Sequence, residues 1–181
     1  MNAPDLIKHS LKDWIVRHLP HDVRDVFIDE LCFIDKTRRA DVVHANGKLS
    51  AFEIKSSADN LARWEGQQEA YLKCFDEVWL CCHSKHLQKS FDLTDRNVGL
   101  IVVDDYASVA AIRHPRQNKK VDPFHLTGFL WREDIDSLAK EYGVEIRKSA
   151  LIKEARQIVS DALNIDIIKS YVLAVLKERY R

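Results

Sequence analysis

Glycine, proline and methionine are scarce in this 181-residue chain, with five, four and one copies. So few glycines leave little room for the loops that cradle phosphates through backbone N–H groups. There is no P-loop, no glycine-rich dinucleotide turn and no GxSxG elbow, so ATP-driven chemistry by this chain alone is not expected. An excess of charge of either sign is also lacking: 28 basic and 28 acidic side chains cancel. A protein that coats DNA generally would be basic, so any affinity for phosphates must be local. No run approaches the roughly eighteen apolar residues of a membrane span, so no membrane partner is expected. The first residues, Met1-Asn2-Ala3-Pro4-Asp5, lack the basic-then-apolar layout of a signal peptide, which points to the cytoplasm. The four cysteines include no CxxC pair and read as reduced thiols in or near the core. Repeats, low-complexity tracts and long linkers are missing too.

What is present is an ordinary globular pattern, 46% apolar and 31% charged, long enough for a real core. The order of elements reads helix, three strands, helix, strand, helix, strand, then mostly helix. Pro4 and Pro20 bracket a first helix with Leu6, Leu11, Trp14 and Ile15 on its core side. Strands are expected at Val26–Phe33, Arg38–His44 and Leu49–Ser56, and a helix over 58–75. Val78–Cys82 is apolar on both faces, which suits a central strand covered by helices. A short helix near Lys85–Phe91 leads to a second buried strand at Gly99–Val103, and residues 107–113 are candidates to pair with it. Residues 1–128 thus form an α/β core. From 129 to 181 the apolar stripes Leu151, Ile152, Ala155, Ile158, Val159 and Ile167, Ile168, Val172, Val175, Leu176 form a helical extension packed on it. A homodimer surface is the alternative use of those stripes.

The chemistry concentrates around Asp41 and the triplet Glu53-Ile54-Lys55, joined by Asn46-Gly47, a strong hairpin turn. A two-residue turn would set Asp41 opposite Phe52, on the apolar face and away from Glu53. A three-residue loop, Ala45-Asn46-Gly47 with a bulge at Gly47, pairs His44 with Lys48 and sets Asp41 opposite Ala51. Asp41 then shares a face with Glu53 and Lys55, while Val42, Phe52 and Ile54 go to the other. This register makes chemical sense on both faces and is the one expected. Two carboxylates held together repel unless a cation lies between them, and their hard oxygens suit Mg²⁺ or Mn²⁺. A lysine beside a metal supplies what displacement at phosphorus needs. By itself, an acid-x-lysine triplet fits a plain surface hairpin equally well. Gln67 and Tyr71, four apart on the following helix, add to it.

Taken together, these residues resemble the PD-(D/E)XK superfamily of restriction-endonuclease-like nucleases. Asp41 matches its first acid, Glu53 and Lys55 its (D/E)xK, and Gln67 and Tyr71 the QxxxY helix of its exonuclease-like branch. The stretch from Asp29 to about Phe75 is most similar to short bacterial proteins with an acidic pair before the hairpin, Glu30 corresponding to their extra acid. Ala40 departs from the proline of the family motif, a position that shapes backbone and ligates nothing. The resemblance implies a restriction-endonuclease-like mixed sheet and a metal-dependent nuclease acting on nucleic acid, DNA before RNA. It implies Mg²⁺, replaceable by Mn²⁺, on Asp41, Glu53 and the Ile54 carbonyl, with Glu30 for a second metal or a metal-bound water. Lys55 would orient the attacking water, Gln67 would anchor phosphate or the lysine, and Tyr71 would brace Gln67. Arg38 and Arg39 are the nearest phosphate contacts; the acid-free run containing Arg113, Arg116, Lys119 and Lys120 reads as a second basic patch or a solvated loop. A binding module without turnover, or a scaffold for a partner, would be the alternative uses of the same fold. Cys81, Cys82, His83 and His86 do not make a zinc site, because neighbours on a strand face opposite ways. His44 falls near the hairpin tip on the core side and is given no role, nor are the other histidines.

Overall fold

The computed structural model describes residues 3–181, with side chains from Asp5 onward. Helix α1 (Ala3–His18) precedes a three-stranded meander, β1 (Val26–Phe33), β2 (Arg38–Ala45) and β3 (Leu49–Lys55). After α2 (Trp64–Leu72) the chain alternates β4 (Glu77–His83), α3 (Leu87–Leu93) and β5 (Gly99–Val103), and β6 (Val109–Arg113) closes the sheet. The six strands lie in sequence order. β1, β2 and β3 pair antiparallel, β3, β4 and β5 parallel, and β6 antiparallel to β5. Parallel neighbours need crossovers, and α2 and α3 supply them.

Both sheet faces are covered, which is why β4 reads as an unbroken apolar run. On one face α1 lays Ile7, Leu11, Trp14 and Ile15 against Val42, Phe52, Trp79, Cys81 and Ile101. On the other, α2 joins α4 (Pro123–Leu126), α5 (Arg132–Glu141), α6 (Ile152–Ala162) and α7 (Ile165–Arg179) over Val43, Ala51, Leu80 and Cys82. The helical extension shares this core through Val159, Ile168, Val172 and Leu176. Ion pairs Lys169–Asp76 and Lys177–Asp25, both 2.8 Å, fasten α7 to loops at the ends of the sheet.

Some expectations need correction. Leu6 points to solvent, and Ile7 takes its place in the core. Leu151 and Ile152 precede or begin α6 and are exposed rather than packed. Cys32 is exposed, although the other three thiols are buried. Helix α2 begins at Trp64, not at residue 58. Before it, the Asp59 carboxylate accepts from the N–H and hydroxyl of Ser56, and Asn60 accepts from the N–H of Ala62. Such local bonds compete with the helical ladder.

The β1–β2 turn runs through three consecutive left-handed residues, Ile34, Asp35 and Lys36, with φ of 48°, 52° and 65°. Each costs roughly 1–2 kcal/mol without glycine. The turn is clamped from α6: Arg156, itself buried, lies 2.6 Å from Asp35, and Lys153 lies 3.0 Å from its other oxygen. Those contacts hold the Asp35 carboxyl below its ordinary pKa, the Arg156 hydrogen bond first.

Gly99, the first residue of β5, sits under the Trp79 ring, where an added Cβ would come within 2.5 Å of a ring carbon and 2.9 Å of Pro115. Neither neighbour can yield easily. Gly99→Ala is expected to destabilise the protein by about 1–3 kcal/mol, read as a lower midpoint in denaturant.

Candidate active site

The β2–β3 pairing runs from Val42 with Phe52 to Ala45 with Leu49. The loop has three residues, as expected, but they are Asn46, Gly47 and Lys48, and the pairing through to Leu49 stays in register without a bulge. Gly47 takes a positive φ of 128° there. The whole register is displaced by two from the expected one. Carried one step past the paired residues, this register sets Asp41 opposite Glu53 rather than Ala51. A shift of two preserves faces, so Glu53 and Lys55 share one and Val42 and Phe52 pack on the other, while Asp41, just beyond the paired residues, is placed by its bond to the Ile54 N–H.

The neighbouring ladder adds a third acid. β1 and β2 pair from Val26 with Ala45 to Phe33 with Arg38, except at Glu30, which would face Asp41. Glu30 has a left-handed φ of 57°. Both strands lose their alternation at this point: Ile28 and Leu31, three apart, lie in one core cluster, as do Ala40 and Val43. The ladder opens where two carboxylates meet. Glu30, Asp41 and Glu53 thus form a row across three adjacent strands. A left-handed non-glycine residue costs about 1–3 kcal/mol and tends to mark functional positions.

Glu53 is the hub. It is buried, as is Lys55, whose ammonium lies 2.6 Å from Oε1. Gln67 Nε2 donates to the same oxygen at 3.0 Å, and the Tyr71 hydroxyl donates to Oε2 at 2.5 Å. Burial, then the Glu53 charge, pushes the Tyr71 pKa well above its ordinary value, so the phenol stays a donor. The expected roles shift accordingly. Gln67 and Tyr71 both brace Glu53, and Tyr71 does not brace Gln67. Gln67 Oε1 is buried without a protein donor.

Asp41 accepts the Ile54 N–H at 2.7 Å. Its pKa is nevertheless pushed up to about 6, by burial first and then by Glu53. Glu30 is turned elsewhere: its carboxylate pairs with Lys8 of α1, and Arg39 lies 2.6 Å from Oε2. Lys12 holds Asp29 at 2.7 Å. Burial alone would lower the Lys8 pKa, but the bond and charge of Glu30 more than offset it. As placed here, Glu30 is paired with Lys8 and Arg39 and does not gather with Asp41 and Glu53 into a close trio among the described residues. Lys8 and Lys12 were missed from sequence; their spacing of four on one face of α1 was the available signal.

The donor set fits a hard divalent ion. Lys55, Gln67 and Tyr71 use three of about four acceptor positions of the Glu53 carboxylate. One remains beside a second, repelled carboxylate, and the orphaned Gln67 oxygen is suited to accept from a bound water.

The basic candidates separate. Arg38 is exposed at the edge of the site, and Arg39 is spent on Glu30. The 113–120 run lies elsewhere. Asn118 ties it to the Leu72 and Phe75 carbonyls and to Asp76, just before β4, whereas Lys55 pairs with Cys82 near its far end. That is about 20 Å along the strand. Arg113 donates to the Val98 and Asp95 carbonyls and Lys120 pairs with Asp95 at 3.0 Å, leaving Arg116 and Lys119 exposed. A cleft does open beside Glu30, lined by Lys36, Trp131, Lys153 and Arg179 among others. Trp131, also missed from sequence, is 60% exposed and has the Arg179 guanidinium over one face at 3.9 Å.

The family described as bacteriophage P4 protein cII matches residues 3–181. The chain belongs to that family. Protein cII of Enterobacteria phage P4 is 27% identical over 178 residues, covering 96% of this chain and 66% of the relative. This chain therefore spans just under two thirds of that relative's length. Among solved structures, SPO1766, a protein of unknown function from Silicibacter pomeroyi, is similar with a TM-score of 0.50 at 15% identity. The likeness covers 83% of this chain and 99% of that one, and it concerns the fold alone.

The folded pKa of Asp41, about 6, lies above its ordinary 3.8, so the folded protein binds this proton more tightly than the unfolded chain. Its contribution to stability is complete below about pH 4 and lost as pH rises through 6. Ionisation then opposes folding by about 3 kcal/mol at neutral pH. Asp41→Asn keeps an acceptor for Ile54 and is expected, in chelator, to melt several degrees above wild type at pH 7.5. The gap should close as pH falls toward 4; thermal unfolding across that range checks both.

Proposed function

We propose that the protein is a metal-dependent nuclease of PD-(D/E)XK type that hydrolyses phosphodiester bonds in nucleic acid, DNA before RNA. The observation that carries this reading is the pair of repelling carboxylates, Asp41 and Glu53, assembled beside a buried lysine at a cost in stability. A scaffold or plain binding surface gains nothing from that cost, whereas a site that takes up a cation recovers it.

Asp41, Glu53 and the Ile54 carbonyl would hold Mg²⁺ or Mn²⁺. When bound, the ion supplies charge neutralisation at a phosphate and lowers the pKa of a water. Gln67 and Tyr71 keep the Glu53 carboxylate oriented, as partners outside a ligand shell commonly do. Lys55 offsets negative charge growing on the phosphate and orients the water through its N–H donors. Glu30, neutralised by Lys8 and Arg39, shapes the edge of the row. The cleft beside it offers Trp131 as a surface for a base and exposed Lys36 for a phosphate.

One observation favours a second reading. Trp131, Leu151, Ile152 and Tyr180 are large, apolar and exposed, from 43% to 76%, around the ends of α5, α6 and α7. Such a face suits a partner protein, with the core as scaffold.

The deciding assay incubates purified protein with supercoiled plasmid, linear duplex and single strands, with Mg²⁺, Mn²⁺ or chelator. Cleavage is expected with either metal and none in chelator. Lys55→Ala and Glu53→Ala should abolish it, while Gln67→Ala should cost about 10–100-fold. Cleavage that persists unchanged in Lys55→Ala overturns the assigned roles. No cleavage, together with a stoichiometric protein partner on purification, favours the scaffold.

A further inference from the structure

At the turn end of β2, away from the carboxylate row, a second set of metal-ligating atoms converges. His44 is fully buried and pairs across the ladder with Phe27. His21, in the segment between α1 and β1, turns Nδ1 toward His44 Nε2 at 3.0 Å. Asp25, just before β1, completes a trio whose ligand atoms all lie within 4.8 Å of one another. The Phe27 ring stacks on both imidazoles, at centroid distances of 5.5 Å and 4.8 Å, and so holds them in place.

We propose that His21, Asp25 and His44 form a binding site for a borderline divalent ion, Zn²⁺ first, which staples the segment after α1 to β2. Two imidazoles and one carboxylate are a zinc donor set, with the fourth position left to water. Mg²⁺ prefers oxygen alone, so the site differs in kind from Asp41 and Glu53. Tetrahedral zinc with ordinary bond lengths sets two nitrogens about 3.3 Å apart, so the two imidazoles need part by only a few tenths of an ångström, and the Asp25 carboxylate would swing in to complete the set. His44 is also ready as a ligand. Burial, then the neighbouring His21, lowers its pKa to about 4, leaving the ring neutral at pH 7.

Two contacts compete with this arrangement. Lys177 of α7 lies 2.8 Å from Asp25 Oδ1, and the Asp22 N–H donates to the other oxygen at 2.7 Å. The lysine already places a positive charge beside Asp25, and its flexible stem lets the ammonium withdraw when an ion arrives. The simpler use of the two histidines is a neutral hydrogen bond between them, which leaves His44 Nδ1 buried without a partner. The proposal does not depend on nuclease activity.

The test is titration of the full chain with Co²⁺ and then Zn²⁺, with excess Mg²⁺ present to occupy oxygen sites. Wild type should develop the visible bands of four-coordinate Co²⁺ at one equivalent, displaced by Zn²⁺. Near-saturating Zn²⁺ should raise the melting temperature by about 5–10 °C. His21→Ala should weaken binding at least tenfold, and His44→Ala should remove it. Because His44 is a core residue, His21→Ala and Asp25→Asn carry the test if His44→Ala fails to fold. Binding should survive in Glu53→Gln and in Cys32→Ser. An absence of saturable binding overturns the proposal. So does binding that is equal in His21→Ala and Asp25→Asn, or that shows thiolate charge-transfer bands lost in Cys32→Ser.

Discussion

Like charges brought together against their mutual repulsion are the constraint around which this structure is organised. Glu53 lies buried in β3, opposite Asp41, and the surrounding elements are placed so that it can stay there. Lys55 supplies the opposite charge from the same strand face, while α2 reaches over the sheet to supply Gln67 and Tyr71. Among the described residues nothing comparable neutralises Asp41, which accepts the Ile54 N–H and whose pKa is raised to about 6. The result is a carboxylate pair held together at a cost in stability, which is the cost that the proposed cation would relieve.

The same tension extends into β1. Glu30 would stand third in the row, yet its left-handed backbone and its pairing with Lys8 and Arg39 draw it out of the ladder. α1 therefore has two jobs. Its apolar side covers one face of the sheet, and its Lys8 and Lys12 balance the Asp29-Glu30 pair. On the other side of the turn, Arg156 of α6 holds a run of left-handed residues in place. The C-terminal helices thus support the edge of the candidate site as well as the core.

Local sequence carried much of this. Strand boundaries in the meander follow from alternation and the Asn46-Gly47 turn, and β4 from its unbroken apolar run. The shared face of Glu53 and Lys55 was legible because period two fixes parity within β3, whereas Asp41 lies where β2 loses its alternation. The pairing itself was less so: displacing the loop by one residue moves Asp41 from Ala51 to Glu53 without exposing any core residue, so burial cannot choose between them. The start of α2 was misplaced because helical periodicity does not register the Asp59 and Asn60 side chains bonding their own backbone.

Residue types and their spacing alone determined an α/β sheet covered on both faces, and which strands and helix carry the acids, the lysine, Gln67 and Tyr71. Tertiary structure decided what each of them touches. Lys8 reaching Glu30, Tyr71 choosing Glu53 over Gln67, the 113–120 run lying at the wrong end of β4, and His21 meeting His44 all join residues far apart in the chain. Side-chain periodicity is a property of a few consecutive residues, whereas these contacts depend on how whole elements cross, and no local pattern encodes that.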